Sequence, residues 1–220
     1  MRWTVESRRE APAAFHARAL PDPVARAVWV CEATEPALVL GSSQLLDTVD
    51  EAACAAAGVD VVRRRSGGGA VLVAPGDLLW VDVLLPAGDP LWSDDVARAF
   101  VWLGEAWARA LADLGVEARV NESGMCATRW SRLVCFAGLG TGEVATPAGV
   151  KLVGLSQRRT RQGARFQCAA LGTWDPEAVV RLLALPPAEQ AEAIEDLRPV
   201  AAGVGVPLDA LLVAFLARLP

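Results

Sequence analysis

The chain has no apolar stretch long enough to cross a bilayer. Hydrophobic residues make up 53% of its 220 positions, but charges or prolines interrupt every run before it reaches about 18 apolar residues. The first twenty residues are charged and lack the apolar centre and small-residue cleavage site of a secretory signal. We therefore expect a soluble protein located in the cytoplasm.

The sequence also lacks paired cysteines. Its five cysteines are an odd number at irregular spacings, without a Cys-x-x-Cys pair. A disulfide framework or a zinc site requires paired or regularly spaced thiols. The sequence therefore predicts neither a disulfide framework nor a metal site, and most of these thiols are expected to be buried and inert.

Lysine is almost absent from the chain. The 21 basic residues are 20 arginines and a single lysine, Lys151. An ammonium is a compact point charge, whereas a guanidinium is a planar, delocalised fork. Lys151 is therefore either a functional residue or a surface lysine left by chance. The net charge of -5 argues against general nucleic-acid binding.

Hydrophobic patterns and turn residues predict an α+β fold. Strand patterns occur at 28–32, 37–40, 59–62, 70–73, 78–84, 116–120, 133–136, 150–157 and 164–171. We expect the first two to pair, and 70–73 to form a hairpin with 78–84. Helix patterns occur at 50–57 and 92–115, and further helices start at Pro176, Pro187 and Pro207. The simplest organisation is one domain over residues 1–174 with a helical tail, residues 175–220, packed on it.

The segment 63–71 reads RRRSGGGAV and suits the binding of an anion. Three consecutive glycines let a ligand approach the main chain without meeting a β-carbon. Their N–H groups, the Ser66 hydroxyl and the arginines together favour a carboxylate, a phosphate or an acyl phosphate. The segment is neither a P-loop nor a GxGxxG turn, and the alternative is a mobile hairpin loop.

Four segments together resemble the lipoate-protein ligase and octanoyltransferase family, which is related to the biotin ligases. They are ALVLGSSQ at 37–44, DTVDEAACAAAGVDVV at 47–62, RRRSGGGAV at 63–71 and KLVGLSQRR at 151–159. The pairing of RRxSGGGAV with a later KxxGxxQ strand is highly specific, and the similarity covers roughly residues 38–171. The resemblance implies the biotin/lipoate protein ligase catalytic-domain fold, a mixed and mainly antiparallel sheet flanked by helices.

The resemblance also implies a set of site residues. In the family the glycine loop wraps the acyl ligand, and the strand lysine, here Lys151, binds the acyl carbonyl or the acyl-adenylate. The positions that match the acyl- or adenylate-binding motifs are Arg63, Arg64, Ser66, Gly67, Gly68, Gly69, Gly154 and Gln157.

The family contains two chemistries. Ligases activate free lipoate with ATP and magnesium, and commonly carry an Asn-Asp pair upstream of the lysine. Octanoyltransferases take octanoate as a thioester from acyl carrier protein, hold it on a cysteine and need no cofactor. Both deliver the acyl group to a lysine of a lipoyl domain, in a 2-oxoacid dehydrogenase or the glycine cleavage protein. The cysteine enzymes carry Cys-Phe shortly before the lysine, and Cys135-Phe136 stands sixteen residues before Lys151.

This spacing favours the transferase, with Cys135 and Lys151 as catalytic residues. A thiolate is a good nucleophile and a good leaving group, so thioester exchange needs no ATP. The ammonium of Lys151 would help to hold the developing oxyanion. In the ligase alternative Cys135 is incidental and Lys151 contacts an acyl-adenylate.

The chain departs from the family at two histidines. After SGGGAV the family continues with one residue and His-Asp, where this chain has Val73-Ala74. A later Gln-His-Gly is replaced by Gln167-Cys168-Ala169, which makes Cys168 a rival nucleophile, although either cysteine could simply be a small core residue. His16 remains the only imidazole, and we do not expect it to be catalytic. A third interpretation is a non-catalytic protein that binds an acyl group or its carrier.

Overall fold

Two sheets and six α-helices form the part of the chain that the computed structural model describes, residues 2–220. The strands are β1 (Thr4–Glu10), β2 (Ala27–Ala33), β3 (Ala37–Leu40), β4 (Asp60–Arg63), β5 (Val71–Val73), β6 (Leu78–Pro86), β7 (Arg119–Val120), β8 (Val144–Ala145), β9 (Lys151–Arg159) and β10 (Gly163–Leu171). The helices are α1 (Pro12–Ala17), α2 (Glu51–Ala56), α3 (Val101–Asp113), α4 (Pro176–Val180), α5 (Pro187–Leu197) and α6 (Leu208–Arg218). None of the helices in residues 2–220 is both long enough and apolar enough to span a membrane.

The large sheet has seven strands in the order β1-β2-β6-β10-β9-β8-β7, and the small sheet has three in the order β4-β3-β5. Only β1–β2 and β3–β4 are parallel pairs, and every other pair is antiparallel. The parallel pair of the small sheet is joined through α2, as parallel strands require a crossover connection. The predicted α+β fold with a mixed, mainly antiparallel sheet is therefore confirmed.

Both expected strand pairings around the small sheet were wrong. β2 lies in the large sheet and β3 in the small one, and the same holds for β6 and β5. The connections at residues 34–36 and 74–77 therefore carry the chain from one sheet to the other instead of closing hairpins. Hydrophobic alternation identifies a strand but not its partner. As a consequence, the two sheets face each other across a layer of side chains.

Three other local predictions need correction. β1 and α1 were not predicted, because β1 is a largely exposed edge strand of polar residues and α1 has only six residues. Helix α3 starts at Val101, after a short 3-10 turn, and not near residue 92. Residues 135–137 form a 3-10 turn in place of the predicted strand at 133–136.

A buried ion pair attaches α1 to the large sheet. The Asp82 side chain is fully buried, and Arg165 donates to it through Nε at 2.9 Å. The same guanidinium donates to the carbonyls of Phe15 at 2.8 Å and Arg18 at 3.1 Å. Breaking this buried pair would leave an uncompensated charge, so the pair is costly to disrupt. Through the two carbonyls it positions α1, which contains His16, over β6 and β10.

The helical tail packs against α3 and under the small sheet. The rings of Trp107 in α3 and Phe215 in α6 stack with centroids 3.9 Å apart, and both residues are fully buried. Helices α4 and α5 contribute Val180 and Leu197 to the core under the small sheet. The division of the chain at residue 174 stays a prediction, and these contacts provide a test of whether the tail is part of the same cooperative unit.

Phe215→Ala is expected to lower the free energy of unfolding of the whole chain by about 3–5 kcal/mol, because it leaves a cavity against Trp107. Val213→Ala in the same helix is the matched control, since Val213 is 69% exposed and should change the free energy by less than about 0.5 kcal/mol. Chemical denaturation followed by tryptophan fluorescence measures both. A separate, early transition confined to α6, with the main transition unchanged, would show that the tail is independent.

Candidate functional site

The glycine loop, residues 66–70, packs directly against the backbone that carries Cys135. The N–H of Ala70 donates to the Leu133 carbonyl at 2.8 Å, and the N–H of Cys135 donates to the Ala70 carbonyl at 2.9 Å. A β-carbon on Gly69 would lie 2.6 Å from the carbonyl carbon of Val134. Only glycine permits this approach, so the loop sequence brings residue 135 to the site.

The opposite side of the loop is in close backbone contact with Gly41. A β-carbon on Gly41 would strike the carbonyl oxygen of Gly68, and Gly68 itself has a φ of 102°, in the region that favours glycine. A β-carbon on Gly68 would lie 3.6 Å from Cys135 Sγ. The thiol of Cys135 is therefore next to the loop, as the site prediction requires.

The two predicted ligand-binding arginines, Arg63 and Arg64, stabilise the conformation of the loop. Arg64 is 5% exposed and donates to the carbonyls of Val39 at 3.0 Å, Gly67 at 2.7 Å and Gly69 at 2.8 Å. Arg63 donates to the carbonyls of Gly41 and Gln44. These donors satisfy main-chain carbonyls around the loop, so ligand contact by Arg63 and Arg64 stays a prediction.

The backbone N–H groups of the three loop glycines remain available to bind a ligand. Within residues 2–220, the N–H groups of Gly67, Gly68 and Gly69 donate no hydrogen bond, and all three glycines line an open cleft. Unpaired backbone N–H groups in a cleft are available as donors to an anion or an oxyanion.

Two cavities meet at Cys135. The inter-sheet pocket is mainly apolar and is lined by His16, Val39, Arg64, Val71, Val73, Leu78, Trp80, Cys135, Phe136, Gly154, Leu155, Ser156, Gln167, Cys168 and Ala169. The outer cleft contains the three glycines, Glu143, Lys151 and Gln157 among its lining residues. Cys135, Leu155 and Ser156 line both cavities.

Lys151 is buried and fully hydrogen-bonded. Its residue is 1% exposed, and Nζ donates to Glu143 Oε2 at 2.7 Å, to the Gly138 carbonyl at 2.9 Å and to the Cys135 carbonyl at 3.1 Å. These three partners use all three N–H groups of an ammonium. The lysine thus fixes both ends of the 3-10 turn that presents Cys135, and a surface lysine left by chance is excluded.

Glu143 is a site residue that the sequence analysis missed. Its carboxylate accepts from Lys151, from the N–H of Gly140 at 2.6 Å and from the N–H of Leu155 at 2.9 Å. It is the only acidic residue between Glu122 and Asp175. An isolated acidic residue eight positions before the only lysine is the sequence feature that could have identified Glu143.

The remaining predicted residues differ in how deeply they are buried. Gly154 lies in the floor of the inter-sheet pocket, where a β-carbon on it would lie 3.5 Å from the Phe136 ring, at an ordinary contact distance. Gln157 donates to the Val96 carbonyl at 2.7 Å at the edge of the cleft. Cys168 is fully buried within the core between the large sheet and α3. Burial raises the pKa of the Cys168 thiol far above its ordinary value, which disfavours a role as nucleophile.

His16 lies at the site, which no sequence pattern predicted. The ring is 8% exposed and stacks on Trp80 with centroids 4.6 Å apart. Its Nδ1 is 3.3 Å from Gln167 Nε2. Burial, together with the charges of Arg165 and Arg64, lowers the pKa of His16 to about 3, so the imidazole is neutral at pH 7.

A hydrogen-bonded chain connects this ring to the glycine loop. Ser66 Oγ donates to Gln167 Oε1 at 2.8 Å, and Ser156 Oγ donates to Ser66 Oγ at 3.0 Å. The predicted residue Ser66 therefore anchors the loop to β9 and β10, and the chain of contacts runs from His16 to Ser156, beside Cys135.

Comparison with known proteins identifies related folds. A family model described as the lipoyl protein ligase A/B catalytic domain matches residues 13–204. A search of curated protein sequences found no match. Among solved structures, a bipartite lipoate protein ligase from Thermoplasma acidophilum, solved in a study of that ligase and its E2 lipoyl domain, superposes with a TM-score of 0.72 at 20% identity, over 97% of this chain and 82% of that chain.

Two further structures share this fold. A putative lipoate protein ligase from the same organism, with bound lipoic acid, gives a TM-score of 0.72 at 17% identity over 99% of this chain and 83% of that chain. A lipoate-protein ligase A bound with ATP gives 0.69 at 18% identity over 99% and 83%. At these identities the similarity establishes the fold, and the fold predicted from the resemblance is the one observed.

Gly69→Ala is expected to destabilise the protein by about 1–3 kcal/mol, because its methyl group would push the loop away from the Val134 backbone. Gly67→Ala is the matched control, since a β-carbon there meets nothing within 4 Å. Chemical denaturation of both variants measures the difference. Equal effects of the two substitutions would contradict the proposed close contact.

Lys151→Met is expected to lower the free energy of unfolding by about 3–5 kcal/mol, because it leaves the Glu143 carboxylate buried without its cation. The control is Arg181→Met, which breaks the exposed pair with Glu177 and should cost less than about 1 kcal/mol. Thermal and chemical denaturation measure both. A loss for Lys151→Met no larger than the control would mean that the buried pair does not fix the turn.

Proposed function

The chain belongs to the lipoyl protein ligase A/B catalytic-domain family, and on this premise we propose that it moves an octanoyl or lipoyl group from an acyl thioester, through Cys135, to a lysine of a lipoyl domain. The family establishes an enzyme of protein lipoylation, as a transferase or as a ligase. The proposal selects the cysteine-dependent transferase.

The observation that carries the proposal is the position of Cys135 at the junction of two cavities. The inter-sheet pocket offers an apolar space for the acyl chain, and the outer cleft offers access for the acyl donor and acceptor. Cys135 is half-buried, whereas Cys168 is fully buried. A nucleophile must reach both its donor and its acceptor, so the geometry supports Cys135.

The chemistry consists of two exchanges at one carbonyl. Cys135 Sγ attacks the carbonyl carbon of the acyl thioester, a new S–C bond forms, the donor's C–S bond breaks, and the donor thiol leaves with a proton. The amine of the acceptor lysine then attacks the same carbon, the C–N bond of the amide forms, the C–S bond to Cys135 breaks, and the proton lost by the amine returns to the Cys135 sulfur. The free N–H groups of Gly67, Gly68 and Gly69 provide donors for the oxyanion of each step.

Lys151 supports this reaction through position. Its ammonium holds the carbonyls of Cys135 and Gly138, and the carboxylate of Glu143 compensates its charge. The orientation of the turn therefore depends on Lys151 even where the lysine itself does not touch the acyl group. Direct contact with the acyl carbonyl would require one of these three partners to be released.

The second candidate is an ATP-dependent ligase. It is favoured by the fold, which is that of lipoate ligases over nearly the whole chain, including one solved with lipoic acid and one with ATP. Against it, the chain has a single asparagine, Asn121, followed by Glu122, and so no Asn-Asp pair. The Asn121 amide is already used, because it donates to the carbonyls of Gly124, Leu139 and Gly140.

Two cations adjacent in sequence to the glycine loop and to Gln157 suit an acidic carrier or lipoyl domain. Within residues 2–220, neither Arg65 nor Arg158 pairs with a carboxylate. Burial lowers the pKa of Arg158, as do the nearby charges of Arg65 and Arg165. An anionic protein surface would relieve this repulsion and would raise the association rate at low salt.

The test is intact mass spectrometry of the protein incubated with octanoyl-acyl carrier protein without ATP, followed by addition of a lipoyl domain. A hydroxylamine-sensitive octanoyl adduct should form on the wild type and on Cys168→Ala, and should be lost in Cys135→Ala, with transfer to the lipoyl domain reduced by about 10³-fold or more. Cys126→Ala is the matched control, because Cys126 is an exposed thiol outside the junction, and it should react like the wild type.

Three other outcomes would each overturn part of the proposal. An adduct lost only in Cys168→Ala would assign the nucleophile to Cys168. Modification of the lipoyl domain only after addition of lipoate, ATP and magnesium, unaffected by Cys135→Ala, would make the protein a ligase. Acyl binding without transfer under any of these conditions would support the non-catalytic interpretation.

A further inference from the structure

The far end of the inter-sheet pocket carries one polar side chain whose hydrogen-bonding capacity is incomplete. The floor of the pocket is a row of register partners across three strands, Gly154 on β9, Ala169 on β10 and Trp80 on β6. Phe136, next to Cys135, contacts the Gly154 end, and His16 stacks on Trp80 at the other end. Neighbouring strands are about 4.8 Å apart, so the two ends are separated by about 10 Å.

The tautomer of His16 follows from its neighbours. Asp82 accepts hydrogen bonds from Trp80 and Arg165, and the Gln167 amide faces the same carboxylate from its register position. Because Gln167 Oε1 accepts from Ser66, its NH2 group is directed to Asp82 and His16. Gln167 therefore donates to Nδ1 of His16, and the proton of the neutral imidazole is on Nε2.

This Nε2–H group has no partner in the described chain. Within residues 2–220, the only hydrogen bond of the His16 ring is the one through Nδ1, and the ring lines the pocket while being 8% exposed. Of the other polar side chains here, Ser66, Ser156 and Gln167 are hydrogen-bonded to one another, and Arg64 donates to main-chain carbonyls. A hydrocarbon chain that filled the pocket would remove water from Nε2–H and leave the donor unsatisfied, which is unfavourable.

We infer that His16 makes the pocket selective for acyl groups that carry a hydrogen-bond acceptor in their distal half, such as a ring sulfur or a ketone oxygen, over plain alkanoyl groups of the same length. The inference rests on the proposed function, because it takes the inter-sheet pocket as the acyl site. It concerns discrimination between acyl groups, whereas the proposed function concerns the route of transfer. A site with a buried donor rejects an analogue that lacks the matching acceptor more strongly than it rejects a small change in apolar size.

The test compares the binding of three free acids by isothermal titration calorimetry. They are octanoic acid, octanoic acid with a ketone on its penultimate carbon, and lipoic acid, whose ring sulfurs are weaker acceptors. The wild type is expected to bind the keto acid about tenfold more tightly than octanoic acid, with lipoic acid between them. His16→Phe keeps the stacking on Trp80 but removes the donor, so the ratio should fall to about one.

A structural effect and a selectivity effect give different results. If His16 only supported the fold, His16→Phe would weaken the binding of all three acids in the same proportion and leave their ratios unchanged, which would overturn the inference. His16→Gln retains a group that can accept from Gln167 and donate into the pocket, so it should preserve part of the preference. If neither variant folds, the wild-type ratio decides, and a ratio of about one overturns the inference.

The failure of the proposed function is distinguishable from these outcomes. If the wild type binds none of the three acids, the pocket is not an acyl site, and the proposed function fails together with the inference. If all three acids bind equally and octanoyl transfer through Cys135 is observed, only the inference about His16 fails.

Discussion

The close contact between the glycine loop and the backbone at Val134 is the constraint on which the site depends. Two main-chain hydrogen bonds join Ala70 to Leu133 and Cys135, and the absence of a side chain at Gly69 allows the two segments to approach. Because the loop lies between the small sheet and β9, this contact places the Cys135 thiol where the pocket between the sheets opens into the outer cleft. The loop thus positions the Cys135 thiol and also presents unpaired amide groups to the cleft.

The buried pair of Lys151 and Glu143 complements this contact from the other side. Removing two charges from water is costly, so a buried ion pair is weak evidence of added stability. What the pair does determine is geometry, since Lys151 binds two carbonyls of the turn and Glu143 binds two backbone N–H groups. Four main-chain groups around Cys135 therefore have fixed partners, which is the preorganisation that catalysis at a carbonyl requires.

The second buried pair, Asp82 with Arg165, has a comparable effect at the far end of the pocket. It attaches α1 through the carbonyls of Phe15 and Arg18, and Asp82 is the register partner of Gln167, which contacts His16. The imidazole of His16 is thereby held neutral against Trp80. The histidines expected at Val73 and Cys168 are absent, and the imidazole that lines the pocket, His16, comes from an element that lies distant in sequence.

Much of the site could be predicted from the sequence because its chemistry is local. The run of glycines, the spacing of Cys135 to the only lysine, and the small residue at Gly154 are each visible in short segments, and the structure brings them together. The partners of Lys151 and Arg64 could not be predicted in the same way. They are carbonyl oxygens, which every residue possesses, so the sequence contains no signal for which of them a buried cation will meet.

By itself, the sequence determined the α+β class, the family, the loop and the Cys135–Lys151 pair, since each depends on periodicity or on residues close to one another in a motif. Only the tertiary structure decided that the strand pairs around β3 and β5 are crossovers, that Glu143 neutralises Lys151, and that His16 enters the pocket. The physical reason is that strand pairing and burial are set by long-range packing. The hydrophobic pattern of a strand indicates that one face is buried, whereas the tertiary fold determines which element packs against that face.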